Sequence, residues 1–302
     1  MNNLKAFAKQ IRQCKVLYLM ILPPIITVFI FHYIPIYGLQ IAFKDYRTSL
    51  GIMGSEWVGL KHFINFVNYP YFGKIMTNTL SISLMSMLTF PIPVIFSLML
   101  NEVRQQRLKK TVQMITYAPH FVSVVVVASM TILFLNREGL VNNILSLFGL
   151  PRLDYMSQPS LFAPIYVITD LWQGLGWGTI IYLAALSGVS PELIEAAKID
   201  GAARMKIIFN INIPHILPTV ITMLILKVGT LVSVGFEKVF LLQNPLNMEA
   251  SSIISTYVYE MGLTGRQYSY SAAIGLFNNV INIILIVLAN TLSKKVANYG
   301  LW

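Results

Sequence analysis

Two groups of polar residues in this otherwise apolar chain have types and spacings suited to chemistry, and in both cases that chemistry is recognition rather than bond-making. The first is the stretch over 195–214, E-A-A-K-I-D-G-A-A-R-M-K-I-I-F-N-I-N-I-P. Ahead of it, Ser190 suits an N-cap and Pro191 the first helical position, with Glu192 and Glu195 near the positive end of the helix dipole. Asp200 leads into Gly201, whose permissive backbone is where such a helix stops. A second amphipathic turn then runs to Pro214, read as its terminator. Ala196 and Ala197 leave one face thin enough to enter a groove on another protein. The pattern predicts a small, rigid, acidic-tipped helix suited to mechanical docking.

The second group lies inside apolar stretches. Asp170 and Lys227 both fall near mid-depth of a membrane span at about 1.5 Å per residue. A charge there costs at least ~2.5 kcal/mol, so each needs a partner or a wet cavity. Two overlapping readings stay open: an ion pair between Asp170 and Lys227 holding helices together, or charges lining a solute pathway. Asp170, Gln173 and Trp177 share a helical face by their spacing, and Trp172 adds a second indole on the same stretch. Carboxylate, amide and indole suit a sugar, whose hydroxyls need hydrogen bonds and whose C–H face stacks on aromatics. Polar packing between helices is the competing reading for Gln173. Asn278 and Asn282 share a face of the last apolar stretch, where asparagines either bond neighbouring helices or line a pathway.

Other chemistries have little support. The four histidines, His32, His62, His120 and His215, are scattered, and no H-E-x-x-H or close cysteine partner accompanies them, so no metal site is expected. No G-x-S-x-G element appears, and no G-x-x-x-x-G-K-[ST], the loop that cradles nucleotide phosphates. If ATP drives this protein, another chain hydrolyses it. Cys14 is the single cysteine, so an intrachain disulfide is impossible.

The elements that must hold these residues are membrane helices. The 302 residues are 56% hydrophobic and only 11% charged, far below the charge content of soluble domains. Six stretches are long enough to span a bilayer, at about 20 residues each: 16–43, 78–100, 111–135, 161–187, 215–236 and 271–292. Pro91 and Pro93 should kink the second. The net charge of +10 reflects basic loops beside these spans rather than affinity for nucleic acid. Over half of the 22 lysines and arginines lie in the N-terminal tail, the 101–110 and 188–214 loops and the C-terminus. That side is therefore expected to be cytoplasmic. The expected layout is a cytoplasmic tail at 1–15, one membrane domain over 16–292 including the 188–214 loop, and a cytoplasmic tail at 293–302. The basic N-terminus runs into an apolar stretch without a small-x-small cleavage site, which predicts an uncleaved first span. On the opposite side, 56–66 reads as a turn and a short surface helix, and 251–261 as a segment lying along the membrane or dipping between helices.

The spacing of Glu195-Ala196-Ala197, Asp200-Gly201-Ala202, Phe209, Ile211 and Pro214 resembles the "EAA" loop of permease subunits of ABC importers, with Ile213 in place of the usual leucine. Val58-Gly59-Leu60-Lys61-His62-Phe63, Asn78-Thr79-Leu80 and Gly139-Leu140-Val141-Asn142 resemble the carbohydrate branch. Tyr268-Ser269-Tyr270-Ser271-Ala272-Ala273 and the terminal Gly300-Leu301-Trp302 are similar to its LplB-like oligosaccharide subfamily. The resemblance implies an all-α, six-span permease of the type I importer fold in the bacterial cytoplasmic membrane. It implies no catalytic residues and no cofactor in this chain, ATP and magnesium being bound by partners. Those partners would be a second homologous permease forming a heterodimer, two ATPase subunits on the cytoplasmic face, coupled to this chain through Glu195, Ala196, Ala197, Asp200, Gly201 and Pro214, and an extracellular solute-binding protein. Peptide, amino acid or polyamine cargo is the alternative within the superfamily, and an ion-coupled secondary transporter the alternative outside it.

Overall fold

The computed structural model describes residues 14–302, so the basic residues Lys5, Lys9 and Arg12 of the expected tail lie outside the described residues. Five helices are long and apolar enough to cross a bilayer; Pro159–Leu186, bent by 75° into Pro191–Ile199, brings the number to six. The described residues divide into two compact units, one of those up to residue 66 with 261–276 and one of 67–260 with 277–302.

In the smaller unit the first span, Lys15–Phe43, has no buried residue in its apolar window. A helix that is apolar all round belongs in lipid or against other apolar surfaces. At its end a two-residue antiparallel ladder pairs Lys44 with Trp57 and Asp45 with Glu56, a detail the helical patterning did not announce. Trp57 stacks on Phe43 at 5.7 Å, while Lys44 Nζ donates to the Ile52 carbonyl at 2.7 Å. The expected surface helix is Lys61–Val67, with His62 and Phe66 turned inward.

In the larger unit the second span divides into Phe72–Leu88 and Pro91–Glu102. Pro91 and Pro93 lack the N–H groups that would continue the helical ladder across the join. The third span corrects the sequence expectation. Residues 111–117 belong to an amphipathic helix, Gln106–Tyr117, followed by a 3-10 turn at Ala118–Phe121. The membrane helix proper begins at Val124 and continues to Ser146. Pro119 interrupts the ladder, and Ser123, in extended conformation, restarts it by accepting from the Val126 N–H at 3.3 Å. Hydropathy alone ran the two helices together.

The fifth span is also displaced, to Arg204–Gly229. Pro214 does not terminate a turn; it sits in the first turn of Ile213–Gly229, after a π-helical stretch at Ile208–Asn212. A proline there loses little, because the wider π turn already breaks the regular ladder. The last span is Tyr268–Ala297.

Of the two placements open for 251–261, the inward one is found. Val239, Leu242, Ile253 and Ile254 are essentially inaccessible, and the first three pack with Ile82, Phe162 and Val167. Polar groups make that burial affordable because each finds a partner. Asn247 donates to the Met156 and Leu242 carbonyls at 3.0 Å and accepts from the Asn244 N–H and the Ser251 hydroxyl. Asn78 donates to the Glu249 and Ser252 carbonyls, and Thr79 accepts from the Ile254 N–H. On the exposed rim, Lys74 donates to Glu249 at 2.7 Å. That bond and the lysine charge hold the Glu249 carboxyl below its usual pKa.

Candidate functional site: a capped hairpin and a polar cavity

The hairpin is built as its residue types require. The Ser190 hydroxyl accepts from the Glu192 N–H at 3.2 Å, Pro191 opens the helix, and the helix runs to Ile199. At the far end the Gly201 N–H reaches the Lys198 carbonyl at 3.0 Å and the Ala202 N–H the Ala197 carbonyl at 2.9 Å. These two bonds form a Schellman motif, which needs a left-handed residue after the cap. Gly201 supplies it at φ +74°. Glu195, Ala196 and Asp200 are exposed and Ala197 is half-buried. Beside them Leu193 and Ile199 are 58% and 86% exposed. An apolar, acidic-tipped surface with a fixed backbone is thus presented outward. Pro214 lies apart from it, within the fifth span.

The two charges expected at mid-depth sit elsewhere in the same unit, and Lys227 lies in the last turn of Ile213–Gly229 rather than at mid-span, because the fifth span is displaced toward the hairpin. Asp170 and Lys227 line a cavity of about 670 Å³ together with Ser86, Thr89, Phe90 and Trp177. A smaller cavity of about 250 Å³ shares Ser86, Asp170 and Lys227 and adds Tyr166 and Ser233. The two charges do not pair with each other, which corrects the ion-pair reading. Asp170 pairs with Lys238 at 2.9 Å, and Lys227 donates to the Ser86 hydroxyl at 3.2 Å. Lys238 is 6% exposed while Asp170 stays half-open to the cavity, and the Lys238 ammonium lies 5.8 Å from the Tyr166 ring centre.

The remaining predicted residues separate. Trp177 faces the cavity, with one side covered by His120 stacked at 4.5 Å and Phe121 meeting it edge-on. Gln173 donates to the Val122 carbonyl at 3.0 Å and so ties its helix to the break before the third span. Trp172 lines a separate apolar cavity with Met130 and Phe134. Asn278 and Asn282 donate to the Ser233 hydroxyl at 3.3 and 2.8 Å, and Asn282 also accepts from the Val232 N–H. They brace the rim of the smaller cavity.

Lys238 and Ser86 were missed from sequence. Lys238 sits in a short inward-facing helix, Phe236–Leu242, which reads as loop. An unexplained mid-span aspartate was the signal that another buried cation had to exist. Gly176 was also unmarked; a side chain there would run into the Thr116 carbonyl, so the Pro159–Leu186 and Gln106–Tyr117 helices meet in near-backbone contact at this point.

Comparison with known proteins places this architecture. Residues 71–298 match the family described as binding-protein-dependent transport system inner membrane component. The chain is 44% identical, over 96% of its length and 91% of the relative's, to the polygalacturonan/rhamnogalacturonan transport system permease protein YteP of Bacillus subtilis (strain 168). It is 43% identical to Protein LplB of the same organism, over 97% and 92% of the two chains. Among solved structures, a chain of a bacterial alginate ABC transporter, in complex with an alginate pentasaccharide-bound periplasmic protein, superposes with a TM-score of 0.88. Its identity is 39%, and the match covers 97% of this chain and 99% of that one. The architecture, the apolar spans and these matches agree: this chain belongs to the binding-protein-dependent transport system inner membrane component family, a multi-pass membrane permease subunit of an ABC transporter and not itself an enzyme.

Proposed function

We propose that this chain is the permease of an ATP-driven importer that carries an oligosaccharide or polysaccharide fragment across the bacterial cytoplasmic membrane. Both termini and the 188–214 loop would face the cytoplasm, with the membrane domain over 16–292 between tails at 1–15 and 293–302. The observation that carries this reading is the hairpin: a helix of nine residues, Pro191–Ile199, capped at both ends and exposing Leu193, Glu195, Ala196 and Ile199. Such a surface has no evident use unless another protein covers it. One of two ATPase subunits that hold ATP and magnesium would occupy it, and a second homologous permease would complete the pore as a heterodimer.

The cavity holding Asp170 and Lys227 supports solute passage, since ionisable groups inside a membrane domain are retained where they line a wet path. The relatives support the cargo class: one is named for polygalacturonan and rhamnogalacturonan transport, and the solved transporter imports the acidic polysaccharide alginate. They favour carbohydrate over peptide, amino acid or polyamine. A solute-binding protein would deliver the sugar outside. ATP binding and hydrolysis would then shift the pore between outward- and inward-open populations, because the two states bind the partners unequally.

Uptake of labelled oligosaccharide into vesicles tests this directly. Transport is expected only with the partner permease, ATPases, binding protein and internal or accessible ATP together. Uptake by this chain alone under an ion gradient would overturn the proposal in favour of a secondary transporter.

A further inference from the structure

Lys227 places a positive charge in the cavity wall that no carboxylate among the described residues offsets by an ion pair. Its one hydrogen-bond partner among the described residues is the neutral hydroxyl of Ser86, at 3.2 Å, and none of the ion pairs among those residues includes it. Asp170 is the one carboxylate lining either cavity, and the buried Lys238 behind it already neutralises it at 2.9 Å. Asp170, Lys227 and Lys238 together therefore leave the site with one positive charge in excess.

A lysine ammonium is a compact, strongly hydrated charge with three donors. Lys227 is half-buried in the last turn of Ile213–Gly229, where the helix dipole favours a cation but supplies no counter-ion, so water or an anion has to meet the charge from the cavity. A hydroxyl partner fills one donor and none of the charge. The surrounding wall offers the rest of a sugar site: the hydroxyls of Ser86 and Thr89, and the apolar faces of Phe90 and Trp177. The volume, about 670 Å³, lies within the roughly 300–1,000 Å³ of pockets that enclose small molecules.

We propose that Lys227 anchors the carboxylate of an acidic sugar, so that the cargo is a uronate-containing oligosaccharide and Lys227 sets the preference for it over neutral sugars. This rests on the carbohydrate reading above. In the bound state the ammonium turns from a lone hydroxyl contact to a charge-assisted hydrogen bond, which is shorter and stronger than a neutral one.

The test uses the complete importer in proteoliposomes with its own binding protein, and compares uptake of trigalacturonate with that of its methyl ester. Binding-protein selectivity enters every arm equally, so it cancels when acid-to-ester ratios are compared between variants. Lys227→Gln is expected to lower that ratio about tenfold or more, the usual weight of a hydrogen bond to a charged group. Lys227→Arg is expected to restore most of it; Ser86→Ala, which removes a neutral hydroxyl available to acid and ester alike, is expected to lower both uptakes together and leave the ratio unchanged. Should Lys227→Gln fail to assemble, Lys227→Arg carries the test: an assembled arginine variant that has lost the preference overturns the proposal. A wild-type ratio in Lys227→Gln overturns it too. So does a Ser86→Ala variant that reproduces the lysine loss, because the Ser86 bond rather than the charge would then matter. A wild-type importer that moves the ester as well as the acid refutes the anchor and leaves carbohydrate import standing. One that moves neither removes both.

Discussion

Replacing Gly201 isolates the contribution of backbone handedness to coupling. The residue has φ +74°, and no atom lies within 4 Å of the position a Cβ would take. Any effect of a side chain within this chain is therefore torsional, not a clash. The left-handed conformation costs an ordinary L-residue about 1–2 kcal/mol, equivalent to roughly a 5–30-fold loss in the population of the capped hairpin end. Asparagine tolerates that region better, and valine is a true outlier there. Stimulation of ATPase activity by loaded binding protein, measured on the reconstituted complex, should fall in the order Asn, Ala, Val, by up to about 5–30-fold for Ala. The amount of chain in the membrane should stay constant, because no packing is disturbed. Wild-type stimulation in Gly201→Val would refute docking through this hairpin. Equal, complete loss in Asn, Ala and Val would refute the handedness argument, since side-chain bulk against a partner would then dominate.

Other perturbations have equally definite outcomes. Asp170→Asn leaves Lys238 buried without its counter-charge and should lower the thermal stability of the purified chain by up to about 3 kcal/mol. Adding Lys238→Gln should recover much of that loss, and the double variant's melting temperature checks it. Gly176→Leu forces the Pro159–Leu186 and Gln106–Tyr117 helices apart and should cost about 1–3 kcal/mol, read as reduced yield and melting temperature, with Gly176→Ala intermediate. The Lys74–Glu249 pair depresses the Glu249 pKa, so its stabilisation is present above the carboxyl's unfolded value and is lost as pH falls through the lowered one. Lys74→Met should raise the Glu249 midpoint toward the normal value in a ¹³C-carboxyl titration, and an unchanged midpoint would remove lysine as the cause.

What was legible in the sequence follows from how local each signal is. Ser190, Pro191 and Gly201 act on the backbone within a few residues, so the hairpin and its left-handed stop could be read from residue type. Mean hydropathy located the spans but not their joints. It merged Gln106–Tyr117 with the helix beginning at Val124, although Pro119 and Ser123 carry the break. It also treated Pro214 as a terminator, although a π turn before it absorbs the missing donor. Partners of Asp170 and Lys227 are set by tertiary packing. Asp170 and Lys238 are 68 residues apart in sequence, and nothing in either neighbourhood names the other. The helical face shared by Asp170, Gln173 and Trp177 is real in spacing, yet Gln173 turns to Val122 because the helix break there leaves a carbonyl free to accept.

The fifth span runs from the hairpin's base to just past Lys227, 26 residues or about 39 Å from Arg204 to Gly229. Its π turn at Ile208–Asn212 lies close to the hairpin end, and the Asn212 side-chain oxygen there is buried without a hydrogen-bond partner. A π turn takes one residue more than an α turn, so it rotates everything beyond it about the helix axis. The face on which Lys227 meets the cavity is therefore fixed by that irregularity as well as by its own neighbours.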